Sequence, residues 1–148
     1  MPGQRPGQQR IVVGVDDSEG GRRALRWALE DASRRQARVV AVLAWHRPLM
    51  GASPAVAAIV DPAEEQAFAE ARLAGIVGEA LEAAPAGVVV DHVVTEGSPA
   101  RTLLDEARGA DLLVVGSRGR GGFAGLLLGS VSQHCVHHAP CPVVVVRP

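Results

Sequence analysis

The segment from Gly116 to Ser130 reads GSRGRGGFAGLLLGS and holds six glycines. Glycine lacks a Cβ and tolerates positive φ, so consecutive N–H groups in such a run can turn toward one point and bind an anion. Gly129-Ser130 then opens a helical stretch, whose first N–H groups and positive dipole end favour a phosphate. The hydroxyls of Ser130 and Ser132 are further donors, and Arg118 and Arg120 project from the loop toward outer phosphates. A Cβ at Gly116 or Gly119 is expected to stand where backbone must approach phosphate, without disturbing the fold. The alternative is a connector that binds nothing. Asp16 is the second marked residue. A carboxylate there suits a ribose hydroxyl or a metal, unless Asp16 or Asp17 simply caps the helix that follows.

Two common phosphate signatures do not apply. All 15 basic residues are arginine, so a Walker A loop and Schiff-base chemistry, which need lysine, are excluded. A GxGxxA match on Gly119, Gly121 and Ala124 has no acid about 20 residues further on. His134, Cys135, His137, His138 and Cys141 invite a metal reading, but Cys135 stands where HExxH needs its glutamate, and packing explains them better. Trp27 and Trp45 are expected in or near the core.

The elements that must position these residues follow from periodicity. Apolar, β-branched runs at 10–15, 38–45, 87–94, 111–115 and 142–147 read as strands. Helical spacing marks 18–36, where Ala24, Leu25, Ala28, Leu29 and Ala32 share a face, and helices are also expected over 62–84, 97–108 and 130–138. Residues 46–61 are expected to form a long loop. Strict β-α alternation implies an α/β fold with a single doubly wound, five-stranded parallel sheet in the order 3-2-1-4-5 and helices on both faces. The chain then reverses between strands one and four, and ligands in such sheets bind at the carboxyl ends of the strands there. Those ends carry Gly14-Val15-Asp16 and Val115-Gly116-Ser117.

The 148 residues suit one domain, taken as 10–148 after a loose tail at 1–9. A net charge of −1 with no basic face argues against nucleic acid. No apolar run is long enough to span a membrane, the N-terminus lacks the apolar core of a signal peptide, and two cysteines make no disulfide framework, so a cytoplasmic protein is expected.

The whole pattern resembles the ATP-binding branch of the universal stress protein family, which carries G-x2-G-x9-G-[ST]. Gly116, Gly119, Gly129 and Ser130 fit that spacing, and VGVDDSEGG and HAPCPVVVVRP match at the two ends. The resemblance implies that Asp16, with Gly14 and Val15, lies by the adenosine and ribose, and that Asp16 can meet a metal as nucleotide-bound Mg. It implies that the Ala44 backbone reads adenine. Gly116, Gly119, Gly129 and Ser130, with Val115, Ser117, Arg118, Arg120, Val131 and Ser132 beside them, would hold ribose and phosphates. ATP, or else cyclic AMP, is the implied ligand. A homodimer through 143–146 is the implied assembly, and a nucleotide-dependent sensor or switch the implied role. A slow ATPase using Asp16 and Mg, and a ligand-free scaffold, are the competing functions. Related adenine-nucleotide hydrolases use an SGGxDS loop after strand one; here that position reads DDSEGG, against pyrophosphate release.

Overall fold

Runs of β-branched residues leave no polar side chain to solvate, and burial on both faces of a sheet is their stable outcome. In the computed structural model, which describes residues 5–47, 54–57, 61–119 and 127–148, those runs pair as one parallel sheet. Its strands are β1 (Arg10–Gly14), β2 (Arg38–Trp45), β3 (Val90–Glu96), β4 (Leu112–Gly116) and β5 (Val143–Val146), in the order β3-β2-β1-β4-β5. The helices are α1 (Glu19–Arg35), α2 (Pro54–Ala57), α3 (Pro62–Glu82), α4 (Pro99–Glu106) and α5 (Ser130–His138). The expected fold class and strand order are those found.

Alternation along the central strands sorts the core into two layers. Ile11 and Val13 face α1 and α3, where they meet Leu25, Leu29 and Leu73; Val12 and Leu113 face the opposite layer with Leu103 and Cys135. Local signals set the helix ends. Ser18 caps α1 by accepting the Gly21 N–H at 3.0 Å, and Gln36 closes it at φ 54°. Asp61 accepts the Ala63 N–H at 2.9 Å, ahead of Pro62 and the first-turn acids Glu64 and Glu65 of α3. Among the described residues no helix is long and apolar enough to cross a membrane.

Two expectations need correction. β3 begins at Val90 instead of 87, because Gly87 sits in a turn at φ 87° and only from Val90 does the chain lie in register with Val39 of β2. The run expected as loop between β2 and α3 contains α2, started by Pro54 at the position proline favours. In the outer strands β3 and β5, each paired on one side only among the described residues, no residue is fully buried. Of the segment before β1, Gln9 is tied to the body: its carbonyl accepts the Arg38 N–H at 2.8 Å.

Leu29→Ala removes a side chain with no exposed surface and is expected to cost about 2–5 kcal/mol in urea unfolding, by lost burial and the cavity left behind. Leu81→Ala, at a residue 37% exposed, is expected to change stability by about 0.5 kcal/mol or less in the same measurement.

Candidate functional site

A cavity of about 570 Å³ opens over the carboxyl ends of β1, β2 and β4, at the point where the order of strands reverses. Its floor is made of strand ends: Gly14, Val15 and Asp16 from β1, Ala44 and Trp45 from β2, Val115 and Gly116 from β4. Arg118, Gly119, Gly129, Ser130, Val131 and Ser132 form one wall, Pro99 and Leu103 of α4 a second, and Arg72 of α3 a third. Twelve of the fourteen residues singled out in the sequence therefore border one space. Ser117 stands behind that wall, and Arg120 lies outside the described residues.

The glycines hold this space open in a way that the sequence does not show. A Cβ on Gly116 would meet the Gly20 carbonyl carbon and oxygen at 2.8 and 2.7 Å. A Cβ on Gly20 would collide with the Arg118 carbonyl oxygen, and one on Gly21 would lie 2.9 Å from the Asp16 nitrogen and against its carboxylate. The first turn of α1 and the end of β4 thus approach at backbone contact. Gly116 is a packing glycine, and the expectation that a Cβ there would spare the fold is corrected. At Gly119 an added Cβ would come within 2.9 Å of Asp16 Oδ2, so there it would press on the cavity's acid. Gly20 and Gly21 were absent from the sequence-based site; two adjacent glycines in a helix, each costing about 1 kcal/mol against alanine, were the available signal.

Asp16 holds two positions at once. Its Oδ1 accepts the Ser18 N–H at 3.0 Å and the Ser18 hydroxyl, which steadies the start of α1. Its Oδ2 lies beside Gly119 at the cavity's edge. Ala44 offers backbone. Alternate residues of β2 face β1: Val42 does so, accepting the Val15 N–H at 2.8 Å, and Ala44 does so two residues later, past the last register pair, Gly14 with Val42. Its N–H and C=O therefore face the crevice.

The N-terminus of α5 differs from those of α1, α3 and α4. Their caps, Ser18, Asp61 and Ser98, each accept a backbone N–H through a side-chain oxygen; the cap of α5 is Gly129, with no side chain to do so. The first intrahelical bond here runs from the Gln133 N–H to the Gly129 carbonyl, so the N–H groups of Ser130, Val131 and Ser132 are left to the cavity. The Ser132 hydroxyl is committed elsewhere. Buried, it lies 2.9 Å from the Ser117 carbonyl and 3.0 Å from that of Gly129, and its one proton is shared between them. Ser117 is a brace: its N–H donates to the Val146 carbonyl and its carbonyl accepts the Gly129 N–H at 2.7 Å. These bonds fasten the descending end of the loop to β4 and β5.

Other marked residues lie outside this space. His134 and His138 have ring centroids 5.5 Å apart on α5, and among the described residues no group of three or more His, Cys, Asp or Glu side chains is gathered for a metal. Burial pushes the Cys135 thiol up to about 11, with Cys141 adding to the shift, so it is a packed side chain with little nucleophilic character. Trp27 and Trp45 pack against the core, and the Trp45 indole N–H donates to Gln66 Oε1 at 2.6 Å.

Comparison with known proteins places these features. The model of the universal stress protein family matches residues 8–147. A universal stress protein of Mycobacterium tuberculosis is 39% identical over 142 residues, which cover 96% of this chain and 46% of that protein. The chain therefore spans less than half the length of such relatives. Among solved structures, the universal stress protein UspA from Lactobacillus plantarum superposes with a TM-score of 0.79 at 26% identity, covering 94% of this chain and 97% of that one. A universal stress protein crystallised in complex with cAMP gives a TM-score of 0.70 at 27% identity, covering 95% and 97%.

The close backbone approach makes a prediction about stability. Gly20→Ala and Gly116→Ala are each expected to lower it by about 1–3 kcal/mol, because the added methyl meets backbone that can move only with α1. Gly78→Ala, on α3 with open space around its Cβ position, is expected to be neutral or to stabilise by up to about 1 kcal/mol. Urea unfolding of the three variants checks this; equal effects would show that the α1–β4 contact is not tight.

Proposed function

The chain belongs to the universal stress protein family, and we propose that it is an ATP-binding member acting as a nucleotide-dependent sensor or switch. The observation that carries this reading is the α5 N-terminus, which lacks a side-chain cap and faces the switch-point cavity. It is joined there by the G-x2-G-x9-G-[ST] spacing of Gly116, Gly119, Gly129 and Ser130. Uncapped N–H groups at a helix start bind phosphate through directed hydrogen bonds and the helix dipole.

Each part of an adenine nucleotide has a counterpart in the cavity. The Ala44 N–H and C=O suit the N1 acceptor and the N6 amine of adenine, with Val15, Leu103 and Val131 supplying apolar contact. Asp16 suits a ribose hydroxyl through the carboxylate oxygen that Ser18 leaves unused, or a Mg carried in on the phosphates, an ion that takes one or two carboxylates plus phosphate oxygens. Ser130, Val131 and Ser132 supply N–H groups for phosphate; Ser132 does so by backbone alone, since its hydroxyl is committed. Arg118 borders the same wall. Cyclic AMP is the second ligand to weigh, because a relative was crystallised with cAMP and the same wall would hold a ribose and a single phosphate.

Two further features complete the reading. The outer edge of β5, four half-buried valines at 143–146 with no strand beyond them among the described residues, suits pairing with a second copy, since such an edge otherwise invites uncontrolled association. Cys135 and Cys141 are free thiols, as suits a cytoplasmic setting.

Calorimetry with ATP, AMP and cyclic AMP, each with and without magnesium, tests the function. One ATP per chain is expected, without accumulation of ADP, and ATP at a hundred times its Kd should stabilise the fold by about 2.7 kcal/mol. Absence of binding by all three ligands would leave a scaffold with an empty cavity. Sustained ADP release, lost in Asp16→Ala, would make the protein an ATPase instead.

A further inference from the structure

The cavity has a charged wall on α3 that lies far in sequence from the glycine loop. Arg72 projects there, and its Nη2 lies 3.2 Å from Asp17 Oδ2. The other oxygen of Asp17 is 3.5 Å from Arg22 Nη2, while Arg22 is engaged more closely by Glu79, at 2.7 Å. The Arg72 guanidinium also lies 6.0 Å from the centroid of the Phe68 ring, which is 63% exposed. Both members of the Asp17–Arg72 pair are about one-third exposed, at 35% and 33%. A pair this open to solvent is held weakly. The same two side chains border a second, more open cavity between α1 and α3, which leaves Arg72 room to turn.

We propose that Arg72 is a phosphate-reading residue of the main cavity, held by Asp17 until an anionic ligand competes for it. The pair would then set how strongly the protein distinguishes a polyphosphate nucleotide from its nucleoside. This rests on the reading of the cavity as an adenine-nucleotide site. Asp16 and Asp17 both border that cavity, and two carboxylates repel an incoming polyphosphate. With no lysine in the chain, only guanidinium groups can offset them with a fixed full charge. A guanidinium binds phosphate oxygens through two parallel N–H bonds, whereas its pair with Asp17 is open to solvent and 3.2 Å long. Exchange of partner therefore favours the phosphate, and it does so more as phosphates are added.

The two halves of the pair should then act in opposite directions. Calorimetry of the full chain with adenosine, AMP and ATP compares the wild type with Arg72→Gln, Arg72→Lys and Asp17→Asn. Arg72→Gln is expected to weaken ATP binding about tenfold and to leave adenosine within about twofold, a loss worth one charge-assisted contact. Arg72→Lys should recover part of the loss. Asp17→Asn, which removes both the competitor and a repelling charge, should tighten ATP binding several-fold. Equal losses for adenosine and ATP in Arg72→Gln, or weaker ATP binding in Asp17→Asn, would reduce the pair to a structural tie and overturn the proposal. If the wild-type protein bound none of the three ligands, the reading of the cavity itself would fall, and this proposal with it.

Discussion

The first turn of α1 and the end of β4 share a space that cannot admit a single side-chain carbon. Gly20 faces the Arg118 carbonyl, Gly116 faces the backbone of Gly20, and Gly21 faces Asp16. The cavity depends on this contact. It fixes how far α1 stands above the sheet, and so how deep the crevice is. It also holds the Asp16 carboxylate between the Ser18 cap and Gly119. Glycines in a helix are normally a defect; at Gly20 and Gly21 the loss of helix propensity is offset by a contact no other residue permits.

Backbone amides and guanidinium groups make up much of what this frame presents to the cavity, beside Asp16, Asp17 and His46. The α5 amides, the Ala44 backbone and the arginines all keep their donor character across the physiological range. The chain has traded the point charge of lysine for directed, planar or dipolar donors. The two carboxylates on the β1 side supply opposition, which makes the balance of charge across the cavity a matter of neighbouring side chains more than of net charge.

Much of this architecture was legible in the sequence because the signals were local. Valine and isoleucine runs located the strands, the helical spacing of Ala24, Leu25, Ala28, Leu29 and Ala32 located α1, and strict β-α alternation implied the order in which strands pair. The loop and Asp16 could be assigned to one crevice because the topology brings the ends of β1 and β4 together. What stayed hidden depended on contacts between distant segments. Nothing in the residues around Gly116 indicates that its neighbour is Gly20. Ser132 and Ser130 look alike as hydroxyl donors, yet the buried one is consumed by two carbonyls. Arg72 is one of several charged residues on α3, and only the packing of that helix against α1 shows that it reaches the cavity. The start of β3 was missed because Gly87 turns the chain before pairing begins.

The central position of β1 has a consequence for the birth of the molecule. It pairs with β2 on one side and β4 on the other, and β4 leaves the ribosome only after every element from α1 to α4 has been made. Until then the nascent chain carries an apolar strand with one edge open, the state in which strands most readily find wrong partners. Parallel pairing over such separations is slow, because chain closure comes before any reward in contact energy. The cavity, assembled from both ends of that closure, is therefore among the last parts of the fold to exist, and a ligand that needs it can recognise only finished molecules.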